Sequence, residues 1–347
     1  MSKKIKWTVL GSCGIAKRRT IPEGIIPADN AKLISIYDVN KEDNGLLAKE
    51  LGVANATNLD ELLDCDSDVV YIATPAYLHY DQVIACAKAG KHILCEKPLG
   101  MNIKEAEEMV AFCKDANVIL GTAFMMRFQS QHQQALQIIK GGKLGKPVYA
   151  RAQLSCWYPP MKDAWRQDPK QGGGGSLMDM GGHCIDLLEM FFGKVKRVSC
   201  FTNNTIHDYK SEDSAVATLF FENGAIGVVD TFFCIPDNSS KNVLELYGSG
   251  GSILAKGTIG QGAEGQMFAY IEDLIVGYDA KQSRGTDDGI EIRPAAINTY
   301  RAEIEEFSRA IIEGDVPANN AHIGLCSQKT LDACYNSAQN GYVIEIN

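Results

Sequence analysis

The chain has 347 residues, 45 % of them hydrophobic, and a net charge of −9 from 34 basic and 43 acidic side chains. That length suits about two domains with real cores, and the acidic balance excludes the basic patch or stripe that nucleic-acid binding requires. No apolar run reaches the length of a membrane span, and Lys3–Lys4 leads into a strand-like segment without a signal peptide's apolar core, so a cytoplasmic location follows by default. The 11 cysteines show no CxxC spacing, and Cys86, Cys113, Cys200 and Cys334 lie inside apolar segments. They read as free, buried thiols in a reducing compartment. The 6 histidines never pair as HxxxH, so no metal site is expected.

In chain order, strands are predicted at Ile5–Leu10, Lys32–Tyr37, Val69–Ala73, His92–Cys95 and Val118–Ala123. Helical patterns at Glu42–Leu51, Leu78–Ala89 and Ile103–Ala116 lie between them. The alternation predicts an α/β Rossmann domain over residues 1–124, with a parallel sheet covered on both faces and a ligand beyond the carboxyl ends of its strands. The first strand ends in Gly11-Ser12-Cys13-Gly14-Ile15-Ala16, a variant of the G-x-G-x-x-G/A fingerprint with Cys13 at the second glycine. Gly11 can still make the tight turn, and the amides of the following helix start can hold a pyrophosphate. Asp38 closes the second strand, where an acid accepts from the adenosine ribose and repels a 2′-phosphate. NAD is therefore expected over NADP, with Lys41 and the Lys17–Arg19 cluster as competing phosphate partners. Thr74-Pro75 and His79 follow the third strand. Glu96-Lys97-Pro98 follows the fourth, where Lys97 points its ammonium into the cleft, and Pro98 is expected to hold Lys97 extended.

From residue 125 the pattern changes to α+β, with an open, mainly antiparallel sheet expected over residues 125–347. A helix is read at Gln129–Lys140 and a strand at Pro147–Leu154. A glycine run, Gly172–Gly175, then leads into an apolar helix with Ser176 as its N-cap. Asp179 and His183 are spaced to share one face of that helix, with Asp186 near it. Gly181 and Gly182 weaken the helix by about 1 kcal/mol each, which implies a close approach to the backbone. Extended segments follow at Arg197–Thr205, Ser214–Phe221, Ala225–Cys234 and Asn242–Tyr247, with a turn at Glu222-Asn223-Gly224. Gly248–Gly251 and Gly260–Gly265 read as loops at a cleft or an interface. Phe220, Val228 and Phe232 make the outer sheet face half-apolar, which invites a second subunit. A last helix is read at Tyr300–Ile312.

Removing a hydride from a carbinol carbon needs a base at the hydroxyl and a cation or donor at the developing oxyanion. His183, with an intrinsic pKa near neutrality, is the candidate base. Lys97 is the candidate oxyanion stabiliser or proton relay, and Asp179 the group that orients substrate or tunes the other two. Tyr158 and Arg166 are candidates to reach the substrate or the nicotinamide.

The chain resembles the Gfo/Idh/MocA family of glucose–fructose oxidoreductases and inositol dehydrogenases along nearly its whole length. The resemblance is carried by the nucleotide loop, Ala73-Thr74-Pro75 with His79, Glu96-Lys97-Pro98, Met126-Arg127-Phe128, Trp165-Arg166 and Gly173–Asp186. It departs at Cys13 and at Ala76, where the family often has Asn. It implies an NAD(P)-dependent sugar or polyol oxidoreductase, active as a dimer or tetramer built through the second sheet. Gly11, Cys13, Gly14, Ile15, Asp38, Thr74, Pro75, His79, Glu96, Lys97, Arg127, Trp165 and Arg166 would hold the cofactor. Lys97, Asp179 and His183 would form the catalytic trio. Lys97, Tyr158, Arg166, Asp179 and His183 would meet a small sugar or polyol. Two rivals stand beside this reading: an NAD-dependent glycosidase with transient C3 oxidation, and a dinucleotide sensor that does no chemistry. The intact trio argues against the sensor.

Overall fold

The computed structural model describes residues 3–272 and 289–346. In the first half, β1 (Ile5–Leu10) leads into a wide π-type helix, Ser12–Ile25. Then come β2 (Ala31–Tyr37), α1 (Lys41–Leu51), β3 (Ala54–Asn55), α2 (Leu59–Asp64), β4 (Val69–Ile72) and α3 (His79–Lys88). The half ends with β5 (His92–Glu96), α4 (Ile103–Asp115) and β6 (Leu120–Ala123). These strands form one sheet in the order β3-β2-β1-β4-β5-β6, and every pair is parallel. Strands that read as apolar runs are here buried on both faces; Val69, Val70, Tyr71 and Ile72 are all buried. The order reverses direction between β1 and β4, which opens the crevice where ligands bind in such sheets.

The second half contains α5 (Ser130–Lys140), β7 (Pro147–Ser155), a single helical turn α6 (Pro169–Gly172), a π turn Leu177–Gly181 and α7 (Gly182–Phe192). Strands β8 (Val195–Asn203), β9 (Ser214–Phe221), β10 (Ile226–Phe232), β11 (Val243–Gly248), β12 (Gly251–Lys256), β13 (Gln266–Ile271) and β14 (Ile290–Glu291) follow. Helices α8 (Thr299–Glu313) and α9 (Ala321–Asn340) precede a short β15 (Ile344–Glu345). The second sheet runs β14-β13-β12-β11-β7-β10-β9-β8-β15. It is antiparallel except where β7 lies parallel to β10. Its inner face packs on α7 through Leu187, Leu188, Phe221 and Val229.

Two expectations need correction here. Gly248–Gly251, read as a loop at a cleft or an interface, is the tight turn of a β11–β12 hairpin and does not line the cleft. Ser176 is not a side-chain N-cap: it has helical φ/ψ, and its hydroxyl donates to the Thr231 carbonyl at 3.2 Å. The last two helices return to the first sheet. Trp7 Nε1 donates to Ser308 Oγ at 3.0 Å, and the Trp7 and Phe307 rings lie 5.7 Å apart. A Cβ at Gly121 would come within 2.6 Å of the Phe307 ring. These contacts pack α8, which follows the second sheet in sequence, against the first sheet.

Candidate active site

The cleft has a volume of about 1110 Å³ and runs from the β1 turn to the second sheet. At the β1 end, Gly11 has φ +86°, and a Cβ there would meet the Ala73 and Thr74 backbone at 2.8 Å. Only glycine brings strand and helix this close. The helix that follows has no cap from Gly11 itself; its Cys13 amide is taken by the Asp38 carboxylate, and its first turn opens into the cleft. A Cβ at Gly14 would meet only the Ala73 carbonyl oxygen, at 3.9 Å. Asp38 Oδ2 accepts from the Cys13 amide and Oδ1 from the Asn40 amide, each at 2.9 Å. Gly11, Cys13, Gly14, Ile15, Asp38, Thr74 and Pro75 all line this end. An open helix start, a glycine without a side chain and a carboxylate at the second strand fit a dinucleotide's pyrophosphate and ribose. Of the basic cluster, Arg18 lines the cleft, while Arg19 is held by Glu23 at 2.7 Å.

At the opposite end, β5 delivers Glu96 and Lys97, and the π turn delivers Asp179. The Lys97–Pro98 peptide bond is cis. Lys97 Nζ donates to Asp179 Oδ1 at 2.7 Å and to the Asp179 backbone carbonyl at 2.8 Å. Arg166 Nε donates to the same Oδ1 at 2.9 Å, and its guanidinium lies 4.1 Å over the Trp165 ring. Burial alone would raise the Asp179 carboxyl, but Arg166 and Lys97 outweigh it and hold the group well below the ordinary carboxylate range. Lys97 and Arg166 flank the Asp179 carboxylate in this half-buried cluster, with the Glu96 carboxyl behind Lys97.

His183, on the first turn of α7, faces the same end, edge-on to Phe124 with ring centroids 5.9 Å apart. Burial, reinforced by the Lys97 charge, pushes its imidazole down to about 3. The expected near-neutral titration is therefore not met, and the ring is uncharged at neutral pH. Behind Lys97, Glu96 Oε1 accepts from the Tyr71 hydroxyl at 2.6 Å, and Tyr71 pairs with Thr20 at 2.9 Å. Tyr158 lines the cleft close to Arg166 and packs on Phe233 with centroids 4.8 Å apart.

Eleven of the cofactor candidates reach the cleft wall; His79 and Arg127 do not. His79 is 1 % exposed, and its two ring nitrogens lie 2.9 Å from the Pro98 carbonyl and 3.0 Å from the Thr74 carbonyl. It ties the β4 and β5 loops together from behind. Arg127 is drawn to Asp186 Oδ1 at 2.6 Å, because that carboxylate is 1 % exposed and needs a cation. Asp186 thereby leaves the Asp179–His183 pair. Tyr300, Gln261 and Asp237 also line the cleft without having been singled out from sequence. They arrive from α8 and from surface loops, and no local pattern marks them. Gly260, in a predicted loop, does reach the cleft. All eleven cysteines are free, and no group of three or more His, Cys, Asp or Glu among the described residues could hold a metal ion.

Fold and cleft together define a two-domain oxidoreductase with a Rossmann half. Residues 5–124 match the oxidoreductase family with an NAD-binding Rossmann fold, and residues 132–254 match the GFO/IDH/MocA C-terminal domain. The 1,5-anhydro-D-fructose reductase of Ensifer adhaerens is 28 % identical over 345 residues, 98 % of each chain. The myo-inositol 2-dehydrogenase of Thermotoga maritima is 30 % identical over 93 % of this chain and 96 % of its own. The aldose-aldose oxidoreductase of Caulobacter crescentus shares the fold, with a TM-score of 0.87 at 22 % identity over 99 % of this chain and 100 % of its own. The chain belongs to the GFO/IDH/MocA family.

Proposed function

We propose that this protein moves a hydride between NAD(H) and a carbinol or carbonyl carbon of a sugar or polyol, with Lys97, Asp179 and His183 as its catalytic groups. The observation that carries the proposal is the convergence of Lys97, Arg166, Asp179 and His183 at one end of a cleft whose other end is the open helix start beside Asp38. The dinucleotide, when bound, accepts or gives the hydride.

The protein's own groups handle the proton. Two of the three Nζ donors of Lys97 rest on Asp179, which leaves one for the substrate oxygen. The Lys97 and Arg166 cations stabilise an alkoxide there, and Lys97 passes the proton to that oxygen in reduction and takes it back in oxidation. A neutral His183 ring holds the same hydroxyl as a hydrogen-bond partner and fixes its direction. Arg166, braced on Trp165, keeps Asp179 ionised, and Tyr158 meets the substrate beside it.

Asp38 supports NAD over NADP: with both oxygens already on backbone amides it is fixed in place, and its charge repels a 2′-phosphate. Residues 1–124 act as the cofactor half and 125–347 as the substrate half, with α8 crossing back to brace the first. The outer face of the second sheet, bearing Phe220, Val228 and Phe232, joins a second copy.

Replacing Lys97 by Ala tests the assignment. Turnover of sugars and polyols is expected to fall by at least about 1,000-fold, a size typical of lost acid–base plus electrostatic catalysis. NADH affinity, measured by fluorescence titration, is expected to stay within about threefold. Turnover persisting in Lys97→Ala refutes the role given to Lys97.

A further inference from the structure

Four successive backbone amides at the start of the π turn are held by two residues from distant parts of the chain. Glu212 Oε2 accepts from the Gly175 amide at 2.8 Å, and Oε1 from the Leu177 amide at 2.9 Å. The Ser176 amide donates to the Glu212 backbone carbonyl at 3.0 Å. The Met178 amide donates to the Tyr335 hydroxyl at 3.1 Å, and that hydroxyl donates on to Glu212 Oε1 at 2.9 Å. The next amide, Asp179 itself, bonds back to the Gly175 carbonyl at 3.0 Å. Glu212 sits just before β9 and Tyr335 on α9.

The same two residues account for the glycine run. A Cβ at Gly174 would overlap the Tyr335 hydroxyl, and one at Gly175 would overlap the Glu212 carbonyl. At Gly181 and Gly182, by contrast, the nearest neighbours are the side chains of Leu177 and Leu331. A Cβ at Gly181 would come within 2.8 Å of Leu177 Cδ1, and the tighter approaches are at Gly174 and Gly175.

We infer that Glu212 and Tyr335 are positioning residues that set where Asp179 stands, and through it where Lys97 points. Lys97 Nζ reaches both the carboxylate and the backbone carbonyl of Asp179, and Arg166 shares the same oxygen. A shift of the turn by a fraction of an ångström therefore changes three contacts at once, and misplacement of about 1 Å can cost two orders of magnitude in rate. A carboxylate suits this place because the first turn of a helix carries unpaired amides and a partial positive charge.

The inference rests on the catalytic part proposed for Asp179, and one double-mutant cycle separates the two. Tyr335→Phe is expected to lower kcat by about 10- to 100-fold with the NADH dissociation constant unchanged. Asp179→Asn alone is expected to abolish most turnover, and adding Tyr335→Phe to it to cost little more, because the tyrosine acts through the aspartate. Normal turnover in Asp179→Asn refutes the catalytic reading. A crippled Asp179→Asn beside a fully active Tyr335→Phe, or losses that add in the double variant, overturns the positioning role and leaves the catalytic reading standing. If Tyr335→Phe cannot be purified folded, Glu212→Gln carries the same cycle, since its amide keeps the volume but cannot accept both backbone donors.

Discussion

At the residue scale, the imidazole of His183 sets the pH behaviour. The folded ring takes a proton only near pH 3, whereas an unperturbed ring does so near 6.5. Between those values the unfolded chain holds more protons, so this residue's contribution to stability rises with pH and is lost as pH falls from about 6.5 toward 3. His132, buried and with its Nδ1 2.8 Å from the Met126 carbonyl, is pushed down to about 4 by the same desolvation and adds to the acid side. The expected outcome in an NMR titration is a His183 ring that stays neutral down to about pH 5. A midpoint near 6.5 contradicts the environment described. Of the two groups that residue type left open for the proton, His183 and Lys97, the same neutrality supports the proposed choice of Lys97.

At the scale of elements, the packing of α9 on β6 is a sharp test of fit. Gly324 lies directly on Thr122, and a Cβ there would overlap the Thr122 hydroxyl. That hydroxyl is buried with no hydrogen-bond partner, so it contributes little that its removal would lose. Gly324→Ala is expected to destabilise the protein by about 1–3 kcal/mol through overpacking. Adding Thr122→Ala is expected to restore most of that in urea unfolding, and additive losses would contradict the contact.

The strands and helices of the first half were legible because strands such as β4 are covered on both sides and read as apolar runs, and helical spacing recurs between them. The Asp179–His183 region was legible because its glycines and ionisable residues are close in sequence. What stayed hidden is non-local. β12, as Gly-Ser-Ile-Leu-Ala-Lys, and β13 carry no strand assignment from sequence, because glycine-rich stretches flank them. The helix start was assigned to Ser176, the nearest good capping residue, while the caps come from Glu212 and Tyr335. The partner of Arg127 could not be read from a tripeptide, because it is fixed by which carboxylate the fold buries.

At the scale of the whole molecule, the outer face of the second sheet carries apolar side chains that the described residues leave exposed. Phe201 is 78 % and Val216 40 % exposed, and the two are paired across β8 and β9. Tyr149 and Tyr247 lie side by side further along, with centroids 5.8 Å apart. Apolar patches of this kind are usually covered by another subunit. Light scattering is expected to find an oligomer for the native chain and a monomer for Phe201→Glu combined with Val216→Glu, with NADH binding kept. A native chain that is already monomeric contradicts this part of the account.

The central claim is direct hydride transfer between a nicotinamide and a sugar or polyol carbon. Incubating the protein with NADH deuterated at the transferable position and a panel of keto sugars, then locating the label by mass spectrometry and NMR, tests it most directly. The account predicts stoichiometric NADH consumption, with deuterium on a newly formed carbinol carbon. Sugar turnover without net NADH consumption, or NADH consumption that leaves no deuterium on the sugar, would contradict it.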